Sequence, residues 1–217
     1  MRLSIPTQPA LTNPNRHPSI HSKTKRVIDI LGASLGIGIT ALLFVPLSLA
    51  IVLNSPGPIF YSQIRCGLHG DNFRLWKFRS MVSDADRQKH LIKNEASGHI
   101  FKNRNDPRVT AVGQFLRRTS LDELPQFWNV LIGDMSLVGT RPPTPNEVQH
   151  YSAHHHKRLW VKPGMTGEWQ VNGRSTVENF DAIVQLDLQY QEKWSILYDL
   201  ILIFKTFQVV FNKQGAY

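Results

Sequence analysis

Residues 23–53 read KTKRVIDILGASLGIGITALLFVPLSLAIVL: a basic cluster, Lys23, Lys25 and Arg26, followed by an apolar run whose only formal charge is Asp29. Wound as a helix, the stretch from Val27 to Leu53 would be about 40 Å long, enough to enter or cross the hydrocarbon core of a bilayer. A cleaved signal peptide has a basic flank and a small-residue site, which Ser48 to Ala50 imitates, but this run is too long and too far from Met1. A spanning helix would hold the basic flank on the cytoplasmic side and send everything after Leu53 outside. The following chain is basic as well, with Arg65, Arg74, Lys77 and Arg79 in close succession. Basic residues on both flanks fit a segment whose two ends face the same cytoplasmic surface. Pro46 supplies a place to bend, because it lacks an N–H and its ring crowds the carbonyl of Leu42. Residues 23–54 therefore read as a re-entrant membrane helix, and Gly32 and Gly36 carry the small-xxx-small spacing of close helix packing.

Working outward, residues 1–22 carry Pro6, Pro9, Pro14 and Pro18 among small polar residues. That composition buries too little apolar surface to offset ordering entropy, and a disordered tail is expected. Residues 55–217 read as one cytosolic domain of α+β class. Ser55-Pro56-Gly57-Pro58 is a turn; residues 59–61 and 73–78 are short strands joined by a turn over Gly67 to Gly70. Residues 83–95 have a polar helical pattern, while 115–131 and 177–194 are expected as packed helices. Residues 194–211 are again apolar, but Asp199, Lys205 and Gln208 interrupt them, so a helix lying on the membrane surface or in the core is expected.

The formal net charge of +9 implies an anionic partner: nucleic acid, an acidic membrane or a phosphorylated substrate. No nucleic-acid motif is present, although Phe73, Trp76 and Phe78 interleave with charge, and a nucleic-acid module would leave the apolar run without a purpose. A single cysteine, Cys66, excludes an intramolecular disulfide. Consecutive His154, His155 and His156 cannot all face one ion and read as a solvated loop; Gly164, Gly167 and Gly173 read as turn residues.

The chemistry concentrates in Leu116-Arg117-Arg118-Thr119-Ser120-Leu121-Asp122-Glu123-Leu124-Pro125-Gln126, where adjacent carboxylates follow two arginines at an expected helix start. Either Asp122 is the N-cap, or Ser120 caps and Glu123 completes a capping box; both aim a carboxylate at the positive helix end. Capping accounts for one acid. Two acids suit a diphosphate substrate, one attacking phosphorus while its neighbour holds a divalent cation. The helix end and Arg117 would keep Asp122 ionised.

This stretch resembles the catalytic signature of the bacterial sugar transferases, the monotopic polyprenyl-phosphate phosphoglycosyl transferases. The likeness continues through Lys77-Phe78-Arg79-Ser80-Met81, Asp106-Pro107-Arg108, Ser136 to Pro142, Lys162 to Gly167, Gln170 to Arg174 and Asp199-Leu200. The resemblance implies transfer of a sugar-1-phosphate from a UDP-sugar to undecaprenyl phosphate on the cytoplasmic face of the inner membrane, in contact with its lipids, with homodimerisation left open. It implies Asp122 as nucleophile, Glu123 with Asp122 as the magnesium-holding pair, and Arg117 beside the polyprenyl phosphate. Further substrate candidates are Arg79, Arg141 and Arg174, then Lys77 and Lys162, and Asp187, which matches a family acid but equally suits a structural hydrogen bond. The family's Ser-Pro pair at the membrane bend is Val45-Pro46 here.

Overall fold

The computed structural model describes residues 17–95, 103, 105–172 and 179–211. A short turn of helix, α1 (Pro18–His21), precedes the long helix α2 (Lys23–Asn54). The remaining elements in order are β1 (Phe60–Cys66), β2 (Asn72–Phe78), α3 (Ala85–Gln88), α4 (Ala111–Arg118), α5 (Gln126–Ile132), β3 (Ser136–Val138), α6 (Pro145–Val148), α7 (Ala153–His156), β4 (Gly164–Thr166), α8 (Glu168–Asn172), α9 (Phe180–Lys193) and α10 (Ile196–Phe211). The class is α+β, as the sequence indicates.

α2 begins where the Ser22 hydroxyl accepts the Lys25 amide, and it continues through Pro46 as one helix. Its two faces differ. Lys25, Asp29, Ala33, Gly36, Ser48 and Ile51 are buried against the domain, whereas Leu31, Leu35, Leu42, Val45, Leu49 and Leu53 are each more than half exposed. A row of large aliphatic side chains facing outward over the whole helix is a membrane-contacting surface, because water would oppose it at every residue. The charges at the start of the run avoid lipid by entering the domain. Lys25 Nζ pairs with Asp199 at 2.6 Å and donates to the Val138 carbonyl at 2.9 Å, while Asp29 accepts from Ser136 Oγ and Leu137 N, both at 2.9 Å. The Arg26 guanidinium donates to the Val130 and Leu131 carbonyls at the end of α5. The opposite end is tied to the same body. Ile51 packs with Phe78 and Leu116, and Asn54 Oδ1 accepts the Val112 amide at 3.1 Å.

The two glycines expected at a close packing surface do sit at one, but the partner is the domain. A methyl group at Gly36 would lie 2.4 Å from the Phe127 ring, and one at Gly32 would lie 2.6 Å from Leu137. α2 is thereby held flush against α5 and β3, over a core of Ala33, Leu75, Val130 and Met135.

The β1–β2 hairpin is antiparallel, pairing Phe60 with Phe78 through Cys66 with Asn72. Its turn carries two left-handed residues, His69 and Gly70. β3 and β4 form a short parallel pair, and behind them Val138, Val161, Tyr190 and Leu202 make a second core. Leu202 buries one face of α10, while Leu197, Phe204 and Phe207 leave the other face exposed and apolar, consistent with an interfacial helix.

Three expectations need correction. The disordered tail does not extend to residue 22: His17 is buried, its Nε2 donating to the Gln191 carbonyl at 3.0 Å and its ring meeting Trp194, which fixes α1. Residues 1–16 lie outside the described residues. The helix expected over 115–131 is two helices, α4 and α5, separated by a 3-10 turn, Leu121–Glu123. Ser120 breaks it by adopting φ 56°, and the Glu123 amide then donates to the Ser120 carbonyl at 3.2 Å, so the capping box does not form. Pro125 directly precedes α5. Within 83–95 only α3 and a 3-10 turn, Lys89–Leu91, are helical.

Candidate active site

Because the chain turns left-handed at Ser120, Asp122 and Glu123 sit on a tight corner between α4 and α5 rather than along a helix flank. The corner points them at the hairpin. Lys77, on β2, places Nζ 2.7 Å from Glu123 Oε1 and 3.9 Å from Asp122 Oδ2. One ammonium therefore addresses both carboxylates, and Asp122 is itself buried at 6% exposure.

Arg117, in the last turn of α4, is the second cation. Its Nε donates to Ser80 Oγ at 3.0 Å. Burial pulls the guanidinium below its ordinary range, and the Asp122 carboxylate is the first of the charges opposing that shift. The position of Arg117 depends on a glycine. A methyl group at Gly113 would lie 1.9 Å from the Ser80 carbonyl oxygen, so only glycine lets α4 approach residue 80 this closely. Behind them Asp106 and Arg108 form a buried ion pair at 2.6 Å, and Arg108 also donates to the Ala85 carbonyl. The Arg108 hydrogen bond holds the Asp106 carboxyl below its usual range.

The corner opens onto a cavity of about 800 Å³. Ile28, Leu31 and Leu35 of α2 and Ile203 and Phe207 of α10 form its apolar wall, while Lys77, Glu123, Arg65 and Arg141 bring charge to it. A cavity of this composition offers apolar surface along the helices and forked or single cations for an anionic group.

The structure divides the other expected residues. Lys77 and Arg141 line the cavity. Arg141 pairs with Glu147 at 2.9 Å and lies over the Trp169 ring at 5.9 Å. Burial pushes the Glu147 carboxyl up, but Arg141 and Arg65 pull it below its ordinary value. Arg79 is directed elsewhere, donating to the Ser55 and Pro56 carbonyls and to Ser83 Oγ, where it clasps the segment leaving α2. Lys162 donates to the Gly133 carbonyl at 2.7 Å, at the end of α5. Asp187 is fully buried on α9 in an ion pair with Arg158. Arg174 and Gly173 lie outside the described residues. The three histidines occupy α7, where His155 bonds Asp181, and no cluster of three metal-binding side chains occurs among the described residues.

Sequence reasoning missed Arg65 as a cavity residue. The signal was available in the strand alternation: Lys77 pairs with Tyr61 and Arg65 with Phe73, so Arg65 and Lys77 share one face of the hairpin.

A family model described as bacterial sugar transferase matches residues 20–213. The chain belongs to this family. Among curated bacterial sugar transferase relatives, galactosyl transferase CpsE of Streptococcus agalactiae serotype III is 48% identical over 201 residues, covering 90% of this chain and 44% of the relative. Undecaprenyl-phosphate galactose phosphotransferase of Salmonella typhimurium is 43% identical, covering 89% and 41%. Exopolysaccharide production protein ExoY of Sinorhizobium fredii is 38% identical, covering 89% of this chain and 88% of the relative. The chain thus spans less than half the length of the first two relatives and most of the third. The sugar transferase match takes in every element from α2 to α10, including the Asp122–Glu123 corner and the cavity.

Proposed function

We propose that this bacterial sugar transferase moves a sugar-1-phosphate from a UDP-sugar to undecaprenyl phosphate, releasing UMP and starting a glycan on its lipid carrier. The observation that carries this reading is the carboxylate pair flanked by Lys77 and Arg117, with Asp122 buried directly behind Glu123, which lines a cavity whose other wall is the membrane helix α2. The names of the relatives supply the substrate classes, and they make UDP-galactose and UDP-glucose the donors to assay first.

In the first step an Asp122 carboxylate oxygen attacks the phosphorus that bears the sugar. The bond from that phosphorus to the bridging oxygen of UMP breaks, and UMP leaves with the electron pair. In the second step a phosphate oxygen of undecaprenyl phosphate attacks the same phosphorus, and the Asp122 carboxylate departs unchanged. Lys77 and Arg117 favour both steps by balancing charge on the phosphoryl oxygens. The Ser120 turn fixes the carboxylate direction before substrate arrives, so little reorganisation remains.

Two adjacent carboxylates with room for phosphate oxygens are a donor set that fits magnesium, which takes few protein ligands. Asp122 and Glu123 would hold it, and it would supply charge neutralisation on the diphosphate. The exposed apolar faces of α2 and α10 support a seat on a membrane, attachment of both ends of α2 to one domain supports a same-side arrangement, and the basic flanks of α2 favour the cytoplasmic side.

The test is a half-reaction. With UDP-hexose alone, the wild type in detergent should release close to one UMP per active site, and Asp122→Asn should release none. UMP release by the variant at a rate near wild type would refute Asp122 as nucleophile.

A further inference from the structure

Buried polar atoms normally have partners, because a donor or acceptor left unsatisfied away from water keeps the full cost of its lost hydration. Three such atoms without a protein partner among the described residues belong to side chains lining the catalytic cavity: Arg65 Nε, Trp169 Nε1 and Gln170 Oε1. None of the three side chains belongs to the carboxylate corner.

The contrast with Arg158 shows what the fold does when an arginine is structural. Its guanidinium is fully buried and bonded to Asp187, the Tyr151 hydroxyl and the Arg141 carbonyl. Arg65 makes one donation, from Nη1 to the Pro142 carbonyl at 2.9 Å, and has no ion-pair partner among the described residues. The strongest charge acting on it is another cation, Arg141, ahead of the opposing Glu147 carboxylate. Burial, and then Arg141, lower the Arg65 guanidinium to about 10, a direction that an anion between the two would reverse. Arg141 is steered to the same region by Glu147 and by its seat over Trp169. Consecutive Trp169 and Gln170, on α8, add one hydrogen-bond donor and one acceptor to the wall.

We propose that Arg65, Trp169 and Gln170 bind the nucleotide-sugar donor: Arg65 together with Arg141 takes the diphosphate, and Trp169 Nε1 with Gln170 Oε1 takes a group that both accepts and donates. The proposal rests on the reading of the function given above. Forked guanidinium donors match phosphate oxygens. An acceptor beside a donor matches either the uracil edge or the sugar hydroxyls, both of which the same donor molecule carries. The lipid acceptor offers its phosphate and an apolar chain, and has no counterpart for the Trp169 and Gln170 pair.

The experiment uses the full chain in detergent micelles, with UDP and UDP-hexose binding measured by calorimetry and KM measured separately for UDP-hexose and polyprenyl phosphate. Arg65→Gln should weaken UDP binding about tenfold or more and leave KM for polyprenyl phosphate within about twofold. Gln170→Leu should weaken UDP binding if it reads the base, or UDP-hexose binding alone if it reads the sugar; either result supports the proposal. Unchanged donor binding in both variants, or equal losses for donor and acceptor, overturns it. Should Arg65→Gln fail to fold, Arg65→Lys carries the test, since it keeps the charge but lacks the fork and should still lose donor affinity. Absence of wild-type turnover on any UDP-sugar would instead sink the functional reading itself.

Discussion

Asp187 was a substrate candidate by resemblance, and the structure buries it completely beside Arg158, so Asp187→Ala separates two roles. Arg158 Nε lies 2.7 Å from Asp187 Oδ2, Nη2 lies 2.5 Å from the same oxygen, and Nη1 donates to the Tyr151 hydroxyl at 2.6 Å. Both residues are at 0% exposure. Removing the carboxylate leaves a guanidinium out of water with only the Tyr151 hydroxyl and a distant carbonyl, and breaking such a pair costs about 3–5 kcal/mol. A domain with about 5–15 kcal/mol in total loses a third or more of its stability. The mechanism makes a second, sharper demand. Replacing all the interacting groups by apolar ones, Tyr151→Phe, Arg158→Met and Asp187→Leu together, should recover most of the loss, because no buried charge is then left unpaired. Urea unfolding in detergent, followed by tryptophan fluorescence, measures both variants. If Asp187→Ala is as stable as wild type while its KM for UDP-hexose rises, the structural account is wrong and Asp187 is a substrate residue. If the triple variant is as unstable as the single one, the loss is not one of unpaired charge.

Two further outcomes are expected. With Cys66→Ser as background, cysteines introduced by His21→Cys and by Pro58→Cys should both react with a membrane-impermeant maleimide in inverted vesicles and neither in intact spheroplasts; labelling from opposite sides would refute the same-side arrangement of α2. The Asp106 carboxyl is held below its unfolded value by Arg108, so its contribution is present above about pH 4 and is lost as pH falls through the folded value. Between pH 5 and pH 3 the urea midpoint of Asp106→Asn should therefore fall less than that of wild type, and parallel declines would show that this pair is not responsible.

Much of the fold was legible because its signals are local. The apolar run, the Ser-Pro-Gly-Pro turn and the hairpin alternation each depend on neighbours in the chain, and each element occurs where expected. The carboxylate corner was legible as a candidate site but not as a shape. The sequence offered both a helix over 115–131 and a helix start at Ser120 or Asp122, and the left-handed Ser120, ahead of a 3-10 turn that packs against α4 and β2, decides that one helix stops and another begins after Pro125. The candidate cations show the same limit. A sequence gives every arginine equal standing, whereas hydrogen bonds formed with distant segments commit Arg79 to the end of α2 and Lys162 to the end of α5. Arg65, which no motif singled out, lines the cavity instead.

By itself, the sequence determined that a long apolar helix precedes an α+β domain, because residue type and spacing suffice for that, and its likeness to a family signature singled out Asp122 and Glu123 as the candidate pair. Tertiary structure alone decided which charges face the cavity and which serve as internal fastenings. Asp29 stands in an apolar run yet avoids lipid by accepting from Ser136 and Leu137, more than a hundred residues away in the chain. Whether a charge is costly, structural or available to a substrate depends on what surrounds it, and that is a property of the packed molecule.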